Sequence, residues 1–109
     1  MERYTFGHSR GAVNLMTALQ TEEYSLYGSK VAAILGKFFQ STADIIVLPN
    51  RTVREAVLTM WHRTFVDRVA QADIPEVIRT HTLCVLKTRY RQCIKQDKEV
   101  KNASNNTNG

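Results

Sequence analysis

The stretch "TEEYSLYGSKVAAILGKFFQ", Thr21–Gln40, decides the fold class. Placed at about 100° per residue, Tyr24, Tyr27, Val31, Ile34, Leu35 and Phe38 fall on one arc, with Lys30 and Lys37 on the other side. That is the period of an amphipathic helix, not the alternation of a half-buried strand. Thr21 precedes Glu22 and Glu23, and carboxylates in a first turn complement the helix dipole. The pattern predicts a helix from there to about Gln40. Gly28 and Gly36 lie inside it, each costing about 1 kcal/mol relative to Ala, and are read as permitting close helix–helix approach.

The flanking sequence extends the same reading. Ser9 is a candidate cap for a short first helix whose apolar side is Val13, Leu15, Met16 and Leu19. After the central helix comes "STADIIVLPN". Its apolar run, Asp44 to Leu48, fits a short strand or a buried turn of helix equally well, and Pro49 and Asn50 close it in either case. Thr52-Val53-Arg54-Glu55 has the Thr-x-x-Glu form of a capping box and opens a third main helix to about Gln71. Asp73-Ile74-Pro75-Glu76 repeats the start signal, with Pro where its missing N–H costs nothing. The last helix is expected to reach about Asp97. Residues 98–109, ending in "KNASNNTNG", read as a disordered polar tail. The expectation is all-α: one domain over residues 1–97, a small bundle of four to five helices.

The chain of 109 residues is long enough for one modest core and too short for two. Its longest apolar run is Ile45-Ile46-Val47-Leu48, far short of a membrane span. The first residues carry charge but no apolar segment of signal-peptide length. Cys84 and Cys93, nine apart on one helix, point to opposite sides and do not bridge each other. Cytoplasm or nucleus is therefore the expected location, and the sequons at Asn50, Asn102 and Asn105 are read as incidental.

Charge is distributed unevenly. Residues 1–50 hold four Lys or Arg and four Asp or Glu, whereas residues 51–109 hold eleven and six, which is the whole net charge of +5. Such asymmetry bears on partners, not on fold. In the last helix, with Lys87 at 0°, Lys98 falls near 20°, Arg91 near 40° and Lys95 near 80°, while Leu83, Leu86, Tyr90, Cys93 and Ile94 span about 240° to 340°. A basic stripe thus runs beside an apolar arc, and Arg89 sits apart from it. Like charges at i,i+4 cost about 0.2–0.5 kcal/mol per pair. The helix dipole favours cations only in the last turn, leaving Lys87 and Arg91 without that reason. A polyanionic partner explains the stripe in full; a solvated face is the plainer alternative.

The third helix adds a second candidate. Its apolar arc is expected to hold Val53, Val57, Leu58, Met60, Trp61, Phe65 and Val69, with Arg54 and Arg68 intruding seven residues either side of Trp61. Snorkelling arginines are one reading. An Arg-Trp-Arg line on a partner surface is the other, with guanidinium on phosphate and indole on a base.

Catalytic signals are weak. His81 and Cys84 are three apart on a helix, but no orienting group or oxyanion site accompanies them. His8, His62 and His81 share no ligand spacing with each other or with the cysteines, and the glycines form no phosphate loop. No enzyme activity, metal or cofactor is expected. Ile74 to Arg79 opens what would be the second helix of a helix-turn-helix, yet that end is acidic and apolar, a poor reading head.

The expectation is a small basic protein that contacts the phosphate backbone of nucleic acid without reading sequence, duplex RNA favoured. Lys87, Arg91, Lys95 and Lys98 carry it, with Arg54, Arg68 and Trp61 secondary. Its architecture is analogous to that of small helical viral proteins that shield duplex RNA, although no residue motif carries that analogy. A homodimer would complete the core and lengthen the basic track. The alternative is an interaction module for an acidic protein partner, through the stripe or the aromatics Tyr24, Tyr27, Phe38, Phe39 and Trp61. A peripheral membrane role lacks the exposed apolar face that insertion needs.

Overall fold

In a computed structural model, the backbone is described for residues 10–108 and the side chains for residues 10–96. Four helices follow one another: α1 (Arg10–Leu19), α2 (Gly28–Ile45), α3 (Arg51–Gln71) and α4 (Glu76–Asn108), with a 3-10 turn at Ser25–Tyr27 before α2. No strand occurs among the described residues, and the fold is the expected all-α bundle. Helix α4 packs against each of the other three, while α3 also packs on α2.

One core cluster joins Ala12 and Leu15 of α1, Val31, Leu35 and Phe38 of α2, Phe65 and Val69 of α3, and Ile78, Val85 and Leu86 of α4. A smaller one at the other end holds Ile45, Leu58 and Cys93. Trp61 packs against both. Phe38 is fully buried, and Tyr24, Tyr27 and Phe39 are half-buried with their rings packed on the first cluster.

Several local expectations change. Helix α2 starts at Gly28, not after Thr21, because Thr21 bonds back to α1: its hydroxyl donates to the Ala18 carbonyl at 2.7 Å. The helix continues past Gln40 to Ile45, and Ile46 and Val47 turn the chain, so the Asp44–Leu48 run is a helix end. The buried face of α2, Val31, Leu35, Phe38, Thr42 and Ile45, continues the sequence arc, and Lys30 and Lys37 are exposed. In α1 the buried residues are Gly11, Ala12 and Leu15, while Val13 and Met16 face solvent. Small residues turn inward because the helices come close there: a Cβ on Gly11 would lie 2.7 Å from Cys84 Sγ. The close approach expected at Gly28 and Gly36 is absent, since a Cβ at either meets nothing within 4 Å. Ser9 lies outside the described residues.

The cap of α3 is Asn50, whose Oδ1 accepts a 2.9 Å hydrogen bond from Val53 N–H. The Thr52 capping box is not used. Glu55 pairs with Arg51 at 3.1 Å instead. Asn50→Ala is therefore expected to cost about 1 kcal/mol and Thr52→Ala a few tenths at most. Chemical denaturation of the two variants measures both. Equal losses would return the cap to Thr52.

The end expected near Asp97 is not a break in the helix: the backbone of α4 stays helical to Asn108. No Gly or Pro lies between Glu76 and Asn108 to stop it. The side chains from residue 97 onward lie outside the described residues, so the tail assigned to residues 98–109 is described in its backbone alone, to Asn108.

Candidate nucleic-acid interface

Helix α4 carries its cations in two kinds of environment. Arg79 is held by carbonyls at the α3–α4 corner: Nη1 donates to Val69, Ala70 and Ala72 O at 2.6, 2.8 and 3.2 Å, and Nη2 to Ile74 O at 3.1 Å. Its Nε reaches Glu76 at 3.2 Å. Arg89 is held against α2: Nε donates to Thr42 Oγ1 at 3.1 Å and the guanidinium lies 5.3 Å from the Phe39 ring centroid. The Thr42 hydroxyl in turn donates to the Phe39 carbonyl, so a fully buried polar group is satisfied on both counts. These two arginines are structural.

Lys87, Arg91 and Lys95 are the contrast. All three are exposed, on successive turns of one face, and no ion pair among the described residues involves them. Each step along the row is four residues, a rise of about 6 Å. The stretch Val77–Gln96 contains no Asp or Glu. Leu86 and Cys93 are buried on the opposite side, with Leu83, Tyr90 and Ile94 half-buried, which fixes the rotation of α4 and turns the row outward. Burial pushes the Cys93 thiol pKa up, with Arg89 opposing more weakly. The Lys98 side chain lies outside the described residues.

The secondary candidates divide. Arg54 is half-buried and donates from Nη1 to the Leu48 carbonyl at 2.7 Å, closing the α2–α3 connection. Trp61 is half-buried between the two clusters, its ring 5.4 Å from Phe65. Arg68 is exposed and lies over Phe65, 4.7 Å from the ring centroid. The three do not form one outward line, because Trp61 and Arg54 turn toward the core while only Arg68 stays at the surface. Val53 and Met60, expected on the apolar arc, are exposed at 50% and 57%.

One residue was missed. Thr59 Oγ1 and Tyr90 Oη are 2.8 Å apart, so the Thr59 side of α3 faces α4. Arg63 follows Thr59 by one turn, is exposed, and lines a shallow groove along α3 with Thr59, Glu55 and Asp67. Nothing in the sequence marks it, because its value depends on which side of α3 meets α4. The cationic row on α4 is Lys87, Arg91 and Lys95, and Arg63 is a further exposed cation on the neighbouring helix. Next to the row, Tyr90 and Ile94 line a shallow cleft with Arg91 and Lys95.

His62 lies in the same seam. Its ring stacks on Tyr90, centroids 4.6 Å apart and planes inclined by 11°. Burial, then the charge of Lys87, holds its pKa below the usual histidine value. Among the described residues no helix is long and apolar enough to cross a membrane, and no group of His, Cys, Asp or Glu gathers that would hold a metal. Comparison with protein-family models, with curated proteins and with solved structures gives no match to this chain.

Proposed function

We propose that the protein binds the phosphate backbone of nucleic acid, duplex RNA in preference to DNA, without reading sequence. The observation that carries this reading is the sorting of cations on α4. Arg79 and Arg89 are engaged inside the bundle, and Lys87, Arg91 and Lys95 are left together outside, on a stretch from Val77 to Gln96 that contains no Asp or Glu. A row of ammonium and guanidinium groups on a straight helix suits a regular array of phosphates. Side chains cannot enter the deep, narrow major groove of an RNA duplex, so contact along its backbone is the mode such a row supports. Arg63 is added to the contact set, Lys98 is kept in it, and Arg68 remains a peripheral candidate. Arg54 and Trp61 are left out because of their packing roles. Self-association is part of the proposal, since a two-fold copy would double a track of only a few contacts.

Fluorescence anisotropy with a labelled RNA duplex of about 20 base pairs tests this over a salt series, because phosphate contacts lose about 0.9 in log–log slope per neutralised charge. Binding that weakens steeply with salt and is indifferent to base sequence is the expected result. Sedimentation of the same samples gives the mass, and a monomer at every concentration would remove the dimer. No binding at low salt removes the phosphate reading. Saturable capture of an acidic protein with no affinity for the duplex would then assign the same face to a protein partner.

A further inference from the structure

His62 sits in the α3–α4 seam, under the edge of the cationic face. From α4, Tyr90 stacks on its ring, and Lys87, one turn before Tyr90 on the same helix, brings a positive charge to that side. From α2 the facing side chain is Phe38, uncharged, with ring centroids 6.4 Å apart. On its own helix, Thr59 is one turn away and bonded to the Tyr90 hydroxyl, and Arg63 is the exposed next residue. The Nε2 atom is buried and has no hydrogen-bond partner. A proton added to this ring would therefore enter a site with no acceptor at Nε2 and a like charge nearby.

Those two penalties differ in kind. Desolvation belongs to the fold and stays while the seam is closed. The repulsion from Lys87 depends on what Lys87 meets outside the bundle. An anion seated on its ammonium offsets the field that reaches the imidazole, and the second penalty shrinks.

We propose that His62 makes polyanion binding proton-linked: phosphate seated on Lys87 favours uptake of a proton on His62 in the complex. This inference rests on the phosphate-backbone reading of the same face. In the free protein His62 becomes charged only below its lowered pKa. In the complex that pKa lies higher, so between the two values the complex holds more protons than the free protein. Binding then tightens as pH falls through that window and levels off below it. A single proton limits the gain to about tenfold per pH unit. Because burial outranks Lys87 among the causes, the expected gain is a few-fold.

The test uses the full chain and the labelled RNA duplex at fixed ionic strength, from about pH 5.5 to about pH 8 across the range where histidine titrates. Parent and His62→Phe are compared. Phenylalanine keeps the stack on Tyr90 and the contact with Phe38 but cannot titrate, and His81 is present in both proteins. The expected result is equal affinity at the alkaline end and a steeper rise toward acid in the parent. Parallel pH profiles, with both proteins binding, overturn the proton linkage and leave the phosphate reading intact. Absence of binding by either protein overturns both. A second readout does not depend on the variant. The His62 ring protons, followed by NMR through the same titration, should move to a higher midpoint when unlabelled duplex is added, and an unchanged midpoint in a protein that binds overturns the proposal.

Discussion

Replacing Arg79 with Ala is expected to lower the thermal midpoint by on the order of 10–20 °C, the largest stability effect of any single cation in the bundle. The last carbonyls of α3 lack the i+4 donors of a continuing helix, and the chain reverses within a short connection before α4 begins at Glu76. From the backbone, Val69 and Ala72 O accept single turn bonds, from Ala72 and Ile74 N–H. One guanidinium adds charged donors to the carbonyls of Val69, Ala70, Ala72 and Ile74. Its charge also lies at the negative end of the α3 dipole. Hydrogen bonds to a charged group contribute about 1.5–3 kcal/mol each when counted alone, but four on one side chain do not add, and water can serve the exposed Ala70 carbonyl. A net loss of about 2–4 kcal/mol follows, and each kcal/mol moves the midpoint of a domain this size by roughly 4–8 °C. Arg79→Lys should recover less than half, since one ammonium cannot address carbonyls fanned over the whole corner. Far-UV circular dichroism melts of the three proteins measure this. A shift of a degree or two for Arg79→Ala would mean that solvent satisfies the corner as well as the arginine does.

Arg79 also shows where sequence reading stops. It stood out in the sequence only as the first cation of the last helix, because its acceptors are backbone atoms that any residues would supply. Arg89 is similar: its partner Thr42 is 47 residues away. The α2 face was legible because one side of that helix is large and apolar and the other is lysine. The α1 face was not, because periodicity favours the larger Val13 and Met16, whereas closeness to Cys84 requires Gly11 to turn inward. Helix α3 was read least well. It meets both α2 and α4, so Trp61, His62 and Thr59 share its contact sides with Leu58 and Phe65, and no single apolar stripe marks it. The cationic row on α4 was legible for the reason that made α2 legible, since an apolar arc fixes what lies opposite. Arg63 required the α3–α4 pairing, which no local pattern contains.

Changing Lys87, Arg91, Lys95 and Lys98 together to Gln should reduce duplex affinity by about 10²-fold at moderate salt, and flatten the log–log salt slope by roughly 3 to 4 if each meets one phosphate. Adding Arg63→Gln should remove up to about one further unit of slope. Glutamine keeps the helix propensity of these positions, and relieving like-charge pairs on adjacent turns should leave the bundle as stable or slightly more so. The informative control is Lys30→Gln with Lys37→Gln, two exposed cations on α2 outside the proposed contact face. If net charge alone drives association, neutralising these two should cost about half as much slope as neutralising the four on α4. If the row itself is the contact, the α2 pair changes the slope little. A proportional loss in both variants would show a diffuse positive field attracting a polyanion, and the ordered face on α4 would lose its claim to be the binding surface.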